Sequence, residues 1–470
     1  MIEKIISMKT YLLLLITFIS LSVNHTAAQL ILTDSIRTQL SMGVKGFQER
    51  YHSPSIVVAI VHGDSIIFSE ARGYTDLEEL TPATLDSKYQ IQSITKIFTA
   101  TMFMQLCEQK VVKIDDDVKE YVPEYAGESD TQSKTGTTLL ELATHNSGLP
   151  RNPPSDIDFA KQVDKWLLTR TNNSSIRSGS KETFIASLKS ISKQYPDYQF
   201  VNPNTRNYSN LGYGLLGLGL ERAAKTEYEK YIIENICKPL GLHNTGFGTI
   251  STKNNIIAKG YSYLNDEQRF IKTPDYHSNS MIYAGGMYST AADMAKFISA
   301  QFNDDNPTLT GKSRRMIQQL GIGWSRAYPF VMHEGAMLGA RSEIIFNPEL
   351  KLGWVVLVNT TDFQFNRINE YISGLIVPQL ISKPVTDLER YVGTYTLDGG
   401  KDSIKIYLKN DSLYSTYLDD ILPDSPLIFS GNNTLKATGQ NNHSIHYNFI
   451  PGPQSTIKAL SLNQLLWIKQ

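Results

Sequence analysis

The chain has 470 residues, of which 41% are hydrophobic and 19% charged, enough for a large core and about two to three domains. Its formal net charge of -1 excludes the basic stripe that a nucleic-acid binder needs to neutralise phosphates. It equally gives no polybasic surface for anionic membranes.

The N-terminus reads as a secretory signal, residues 1–28. Lys4 and Lys9 form the basic region, Tyr11 to Val23 the apolar run, and Thr26-Ala27-Ala28 a small-residue cleavage site. The run falls short of the ~20 residues of a spanning helix, so no stable membrane span is expected after cleavage, and the protein is expected to be exported, periplasmic or secreted. Ile36, Leu40, Val44 and Phe47 at helical spacing predict a helix over Asp34 to Tyr51. Two apolar runs, Ser55 to Val61 and Ser65 to Phe68, flank His62-Gly63-Asp64 and predict a hairpin. A helix opening at Ser93 is apolar around most of its circumference and is therefore expected to be central. The polar stretch Thr171 to Ser175 reads as a loop or insertion. Leu211 to Leu220 predicts another apolar helix, and Trp354 to Val358 a buried strand. Strands at both ends with helices between predict an α+β fold, a mixed sheet flanked by helices plus an all-helical region. From about residue 382 the pattern changes to short alternating runs, with Ile404, Ile406 and Leu408 in period two and a turn at Asn410-Asp411. That pattern predicts a small all-β, barrel-like domain over 382–470, after a main domain over 29–381.

Cys107 and Cys237 are expected to be free core thiols, because Cys107 lies inside an apolar helical stretch. His333-Glu334 opens like a zinc-binding HExxH run, but Met337 ends the match, and no other metal spacing or cofactor motif is present in the sequence.

Three elements carry chemistry. In Ser93-Ile94-Thr95-Lys96 the serine and lysine share a helix face, and a buried lysine with lowered proton affinity can accept the hydroxyl proton. Ser-x-x-Lys occurs four times, at Ser93, Ser178, Ser190 and Ser455; the last three read as accidental surface pairs, since only Ser93 opens a buried helix. In Tyr208-Ser209-Asn210 the phenol suits proton relay and the amide suits a substrate amide. The same residues also read as a helix-start aromatic and a cap. In His333-Glu334-Gly335, Gly335 would let a substrate backbone lie close to a strand. His333 reads either as a structural histidine or as a donor to a substrate carboxylate. The backbone N–H of Ala336, with that of Ser93, is suited to an oxyanion hole.

In this order the three elements resemble the serine β-lactamase-like family of class C β-lactamases, D-alanyl-D-alanine carboxypeptidases, D-aminopeptidases and esterases. Thr144-His145-Asn146-Ser147-Gly148-Leu149-Pro150, Tyr208 to Tyr213, and Ala284-Gly285-Gly286-Met287 leading to Asp293-Met294 resemble further family segments. The resemblance implies that Ser93 is the acylated nucleophile and that Lys96 and Tyr208 carry protons. It implies Asn210 as a substrate-amide ligand, with His333, Gly335 and Ala336 on the strand beside the site. The implied reaction is acyl-enzyme hydrolysis of small peptides or esters, without metal or cofactor. His333 stands where β-lactamases of this type have lysine, which weakens the expectation of antibiotic hydrolysis, and Arg341 is a candidate for the missing charge. A true β-lactamase and a non-catalytic cell-wall peptide binder are the alternatives. The segment from Leu388 to Tyr395 is similar to the opening of lipocalin-like domains appended to some peptidase members.

Overall fold

The computed structural model describes residues 30–125, 136–170, 175–191, 207–248, 256–277, 279–303, 305–327, 330–380, 388–409, 412–418, 427–431, 434–438, 444–452, 456–462 and 465–470. The expected signal, the turn at Asn410-Asp411 and the boundary after residue 381 lie outside the described residues.

Helix α1, Asp34–Arg50, is capped by Thr33, whose hydroxyl accepts the Ile36 N–H, and buries Ile36, Leu40 and Val44. The expected hairpin forms between β1, Ser55–His62, and β2, Ser65–Asp76, with Gly63 at φ 63° in the turn. After β3, Thr81–Pro82, the chain enters its helical part and returns as β4, Ser325–Ala327, β5, Phe330–Met337, β6, Ala340–Asn347, and β7, Leu352–Val358. Among the described residues these make one seven-stranded sheet in the order β4-β5-β6-β7-β1-β2-β3, with β1 antiparallel to β7 through pairs such as Ile56 with Val358. Ser55 N–H donates to Asn359 Oδ1 at 2.7 Å, closing a loop of 304 residues.

The helix expected to open at Ser93 begins slightly later. Gln92–Ile94 form a 3-10 turn that runs into α2, Thr95–Glu108, whose residues Thr95 to Leu106 are all buried. The remaining helices that frame the site are α3, Ile157–Thr169, α4, Asn210–Ala224, the single turn α5, Ile282–Gly285, and α6, Ala291–Ala300. Helix α6 packs on β1 and β7, while α7, Phe365–Leu380, packs with α1. Tyr371 of α7 donates to the Gln39 carbonyl at 2.7 Å. Both cysteines are free thiols, Cys107 half-buried on α2 and Cys237 buried, and burial pushes both up to about 12. Among the described residues no helix is long and apolar enough to cross a membrane.

Beyond residue 388 the strands β8, Gly393–Leu397, β9, Ser403–Lys409, β10, Ser412–Ser415, β11, Ile428–Gly431, β12, Thr434–Thr438, β13, Ser444–Pro451, β14, Ile457–Leu462, and β15, Leu465–Lys469, form an eight-stranded antiparallel sheet. It curls far enough for Leu427 N–H, just before β11, to reach the Leu413 carbonyl of β10 at 2.7 Å. Ile404, Ile406, Tyr395, Tyr447, Phe449 and Trp467 share its core, whereas Leu408 is left 37% exposed. The expected α+β class, a sheet flanked by helices followed by a barrel-like β region, is the fold observed, and every pairing of the main sheet among the described residues is antiparallel.

One buried acid makes stability depend on pH. Glu343 of β6 is 0% exposed. Its Oε1 accepts the Asn369 amide at 2.9 Å, and its Oε2 has no hydrogen-bond partner. Burial first, and the Glu334 carboxylate directly across the β5–β6 pair, push its pKa up to about 8 against the pull of the Asn369 bond. The folded state thus keeps a proton that the unfolded chain releases near the ordinary glutamate value of ~4.3. Stability contributed here is present at low pH and is lost as pH rises from that value to about 8. Glu343→Gln should therefore gain in stability over the parent as pH is raised from 4 to 9, on the order of 5 kcal/mol at the upper end, read as a rising difference in melting temperature. A difference independent of pH would show that Glu343 does not titrate in this range.

Candidate active site

The site is built where the turn before α2 meets β5, the start of α4 and the turn α5. Lys96 points from the first turn of α2 into the core and is 0% exposed. Its Nζ lies 3.0 Å from Ser93 Oγ and donates to the Ala284 carbonyl at 2.9 Å. Burial, then the positive charge of Arg151, hold its proton affinity well below the ordinary lysine value. Both effects favour the uncharged amine, the form with a lone pair to accept the serine proton. Tyr208 is hydrogen-bonded with Ser93, and burial pushes its phenol up to about 12. The Lys96 Nζ sits 4.8 Å from the centre of the Tyr208 ring, and the Arg151 guanidinium 5.1 Å from it.

The turn that carries Tyr208 is fixed locally. Ser209, not Asn210, caps α4: its hydroxyl accepts the Gly212 N–H at 2.8 Å and donates to the Pro150 carbonyl at 2.6 Å. This leaves the Asn210 amide to face the cleft, where it donates to Asn152 Oδ1 at 2.8 Å. His145 accepts the Ser209 N–H at 3.1 Å and packs its ring, tilted by 31°, 4.4 Å from that of Tyr208.

Across the cleft, His333 is buried, its ring 6.4 Å from that of Tyr208. Its Nδ1 donates to the Glu334 carbonyl at 2.7 Å. Burial first, then Lys96, bring its pKa down to about 3, so the ring stays neutral. Ala336 of β5 and Ser93 line the same cleft of about 350 Å³. Gly335 faces the other way. A Cβ there would stand 2.2 Å from the Ile91 carbonyl oxygen and 2.3 Å from Ser342 Oγ. The glycine therefore admits the protein's own turn before Ser93, not a substrate backbone.

Two other expectations are corrected. Arg341 donates to the Thr361 carbonyl at 2.9 Å and is not among the residues lining the cleft, so it does not supply the missing charge. Ser178 is not on the surface: it is buried and lines the cleft, but its lysine, Lys181, pairs with Glu221 and is not among the cleft residues.

Sequence reasoning gave no role to Gln92, His145 and Arg151. Gln92 has a left-handed backbone, φ 51°, an arrangement that costs a non-glycine residue ~1–3 kcal/mol. Its amide donates to Tyr276 and, at 2.8 Å, to Gln90 Oε1, which holds the strained turn. His145 and Arg151 flank the Ser-Gly-Leu-Pro segment, the only signal that pointed to them.

The family described as Beta-lactamase matches residues 43–375. The chain is 34% identical to "Beta-lactamase-like protein 2" of Dictyostelium discoideum over 259 residues, 54% of this chain but only 43% of that relative. It is 26% identical to "Protein flp" of Staphylococcus aureus (strain N315) over 359 residues, 74% of this chain and 68% of the relative. An octameric penicillin-binding protein homologue from Pyrococcus abyssi superposes with a TM-score of 0.60 at 22% identity, over 93% of this chain and 100% of its own.

Proposed function

The chain belongs to the Beta-lactamase family, and on that premise we propose that it is a serine hydrolase that works through an acyl-enzyme. The observation that carries the reading is a fully buried lysine amine 3.0 Å from the hydroxyl of Ser93, its charged form disfavoured by burial. Lys96 takes the Ser93 proton as Oγ attacks an amide or ester carbonyl. The carbonyl oxygen gains charge and is held by the backbone N–H groups of Ser93 and Ala336. Tyr208, which stays protonated at neutral pH, passes a proton to the leaving group, and Lys96 restores it. Asn210 holds the substrate's amide. Water then attacks the acyl-enzyme by the reverse path and frees Ser93. Small D-amino-acid peptides, peptidoglycan fragments and small esters fit a cleft of this size, and the leader read from residues 1–28 supports action outside the cytoplasm.

Intact-protein mass after exposure to a fluorophosphonate tests the reading. One adduct is expected on the parent and none on Ser93→Ala. No adduct on either would move the non-catalytic peptide-binding reading ahead.

A further inference from the structure

Three of the basic side chains around Ser93 differ sharply in how they are placed. Lys96 is fully enclosed and donates to the Ala284 carbonyl, and His333 is buried with one ring nitrogen committed to the Glu334 carbonyl. Arg151 carries a fixed charge, since guanidinium does not deprotonate in proteins. It is exposed, lines the cleft with Ser93, and its guanidinium carbon sits over the Tyr208 ring, 5.1 Å from the ring centre. No carboxylate of the described residues comes within 4.0 Å of it. The two acids in the cleft lining do not neutralise it. Asp156 is buried and accepts the Ser280 hydroxyl at 2.7 Å and the Gly179 N–H at 3.1 Å, while Asp164 is exposed on α3.

We propose that Arg151 is a specificity-determining residue that receives a carboxylate of the substrate beside the scissile bond, on the α4 side of the cleft opposite β5. A planar guanidinium resting over an aromatic ring is restrained by it, and its paired N–H groups match both oxygens of a carboxylate. The charge absent from β5, where His333 stands, is thus supplied from the opposite wall. Acids are selected over neutral amides of the same shape.

The inference rests on Ser93 being the nucleophile, and the test separates the two. Protection of Ser93 from fluorophosphonate labelling is measured with two matched pairs. One is N-acetyl-D-alanyl-D-alanine against its carboxamide, with the charge in the leaving part. The other is p-nitrophenyl hydrogen succinate against p-nitrophenyl succinamate, with the charge in the acyl part. In one pair or both, the acid should half-protect at a concentration ~10–100-fold lower than the amide. Arg151→Gln should bring that ratio close to one, and Arg151→Lys should leave it between the two. A parent that labels but shows no preference in either pair, or a preference that survives in Arg151→Gln, overturns the role of Arg151 alone. A parent that does not label at all overturns the serine-hydrolase reading beneath it.

Discussion

Lys96→Met should give a folded protein whose Ser93 reacts with fluorophosphonate ~10²–10⁴-fold more slowly than the parent, the range expected for removing a general base. The lysine is fully enclosed, and burial disfavours its charged form. A methionine of similar length fills the same volume, and a side chain whose charge burial already opposes gives up little by becoming apolar. The Ala284 carbonyl loses its donor, a cost of ~1 kcal/mol. Stability and reactivity should therefore separate: the melting temperature stays near the parent while the second-order labelling rate collapses. Labelling at the parental rate would show that another group takes the Ser93 proton.

Gly335→Ala should damage both. Its methyl would sit 2.2 Å from the Ile91 carbonyl oxygen and 2.9 Å from Gln92 Cβ. Ser342 Oγ, 2.3 Å away, can rotate only by giving up its 2.9 Å bond to the same carbonyl. Backbone has to move, and that backbone leads directly into Ser93. Overpacking of this kind costs ~1–3 kcal/mol, and a shift of ~1 Å at a reacting group costs ~10²-fold in rate. A clear fall in melting temperature with a labelling rate ~100-fold lower is expected. Labelling at the parental rate in a folded variant would show that the turn tolerates displacement and that the glycine's contact does not aim the nucleophile.

What the sequence revealed depended on how local the cause was. Ser93 and Lys96 were legible together because their spacing and the apolar residues after them lie within one helix. The Tyr208-Ser209-Asn210 turn was found, but the cap was placed one residue late. Which hydroxyl or amide caps α4 depends on Pro150 and Asn152, which a segment far away in sequence brings against its start. Gly335 was recognised as a site of close approach, yet its neighbour was misjudged, because Ile91 is brought to it only by the packing of β5 on the turn before α2. Arg151 and Gln92 carried no periodic signal: one owes its place to the ring beneath it, the other to a strained φ held by Tyr276. The hairpin, the buried strands and the curled terminal sheet followed from alternation and turn residues. Their order across the sheet did not, since the pairing of β1 with β7 is decided by parts of the chain far apart.

That pairing has a kinetic consequence. The central strand of the main sheet, β7, is made from residues 352–358, but one of its two partners, β1, spans 55–62. Loops this long close slowly, and sheets whose contacts are this distant in sequence assemble late. A growing chain therefore presents β1 long before β7 exists to pair with it, and the sheet can be completed only after residue 358 has been made.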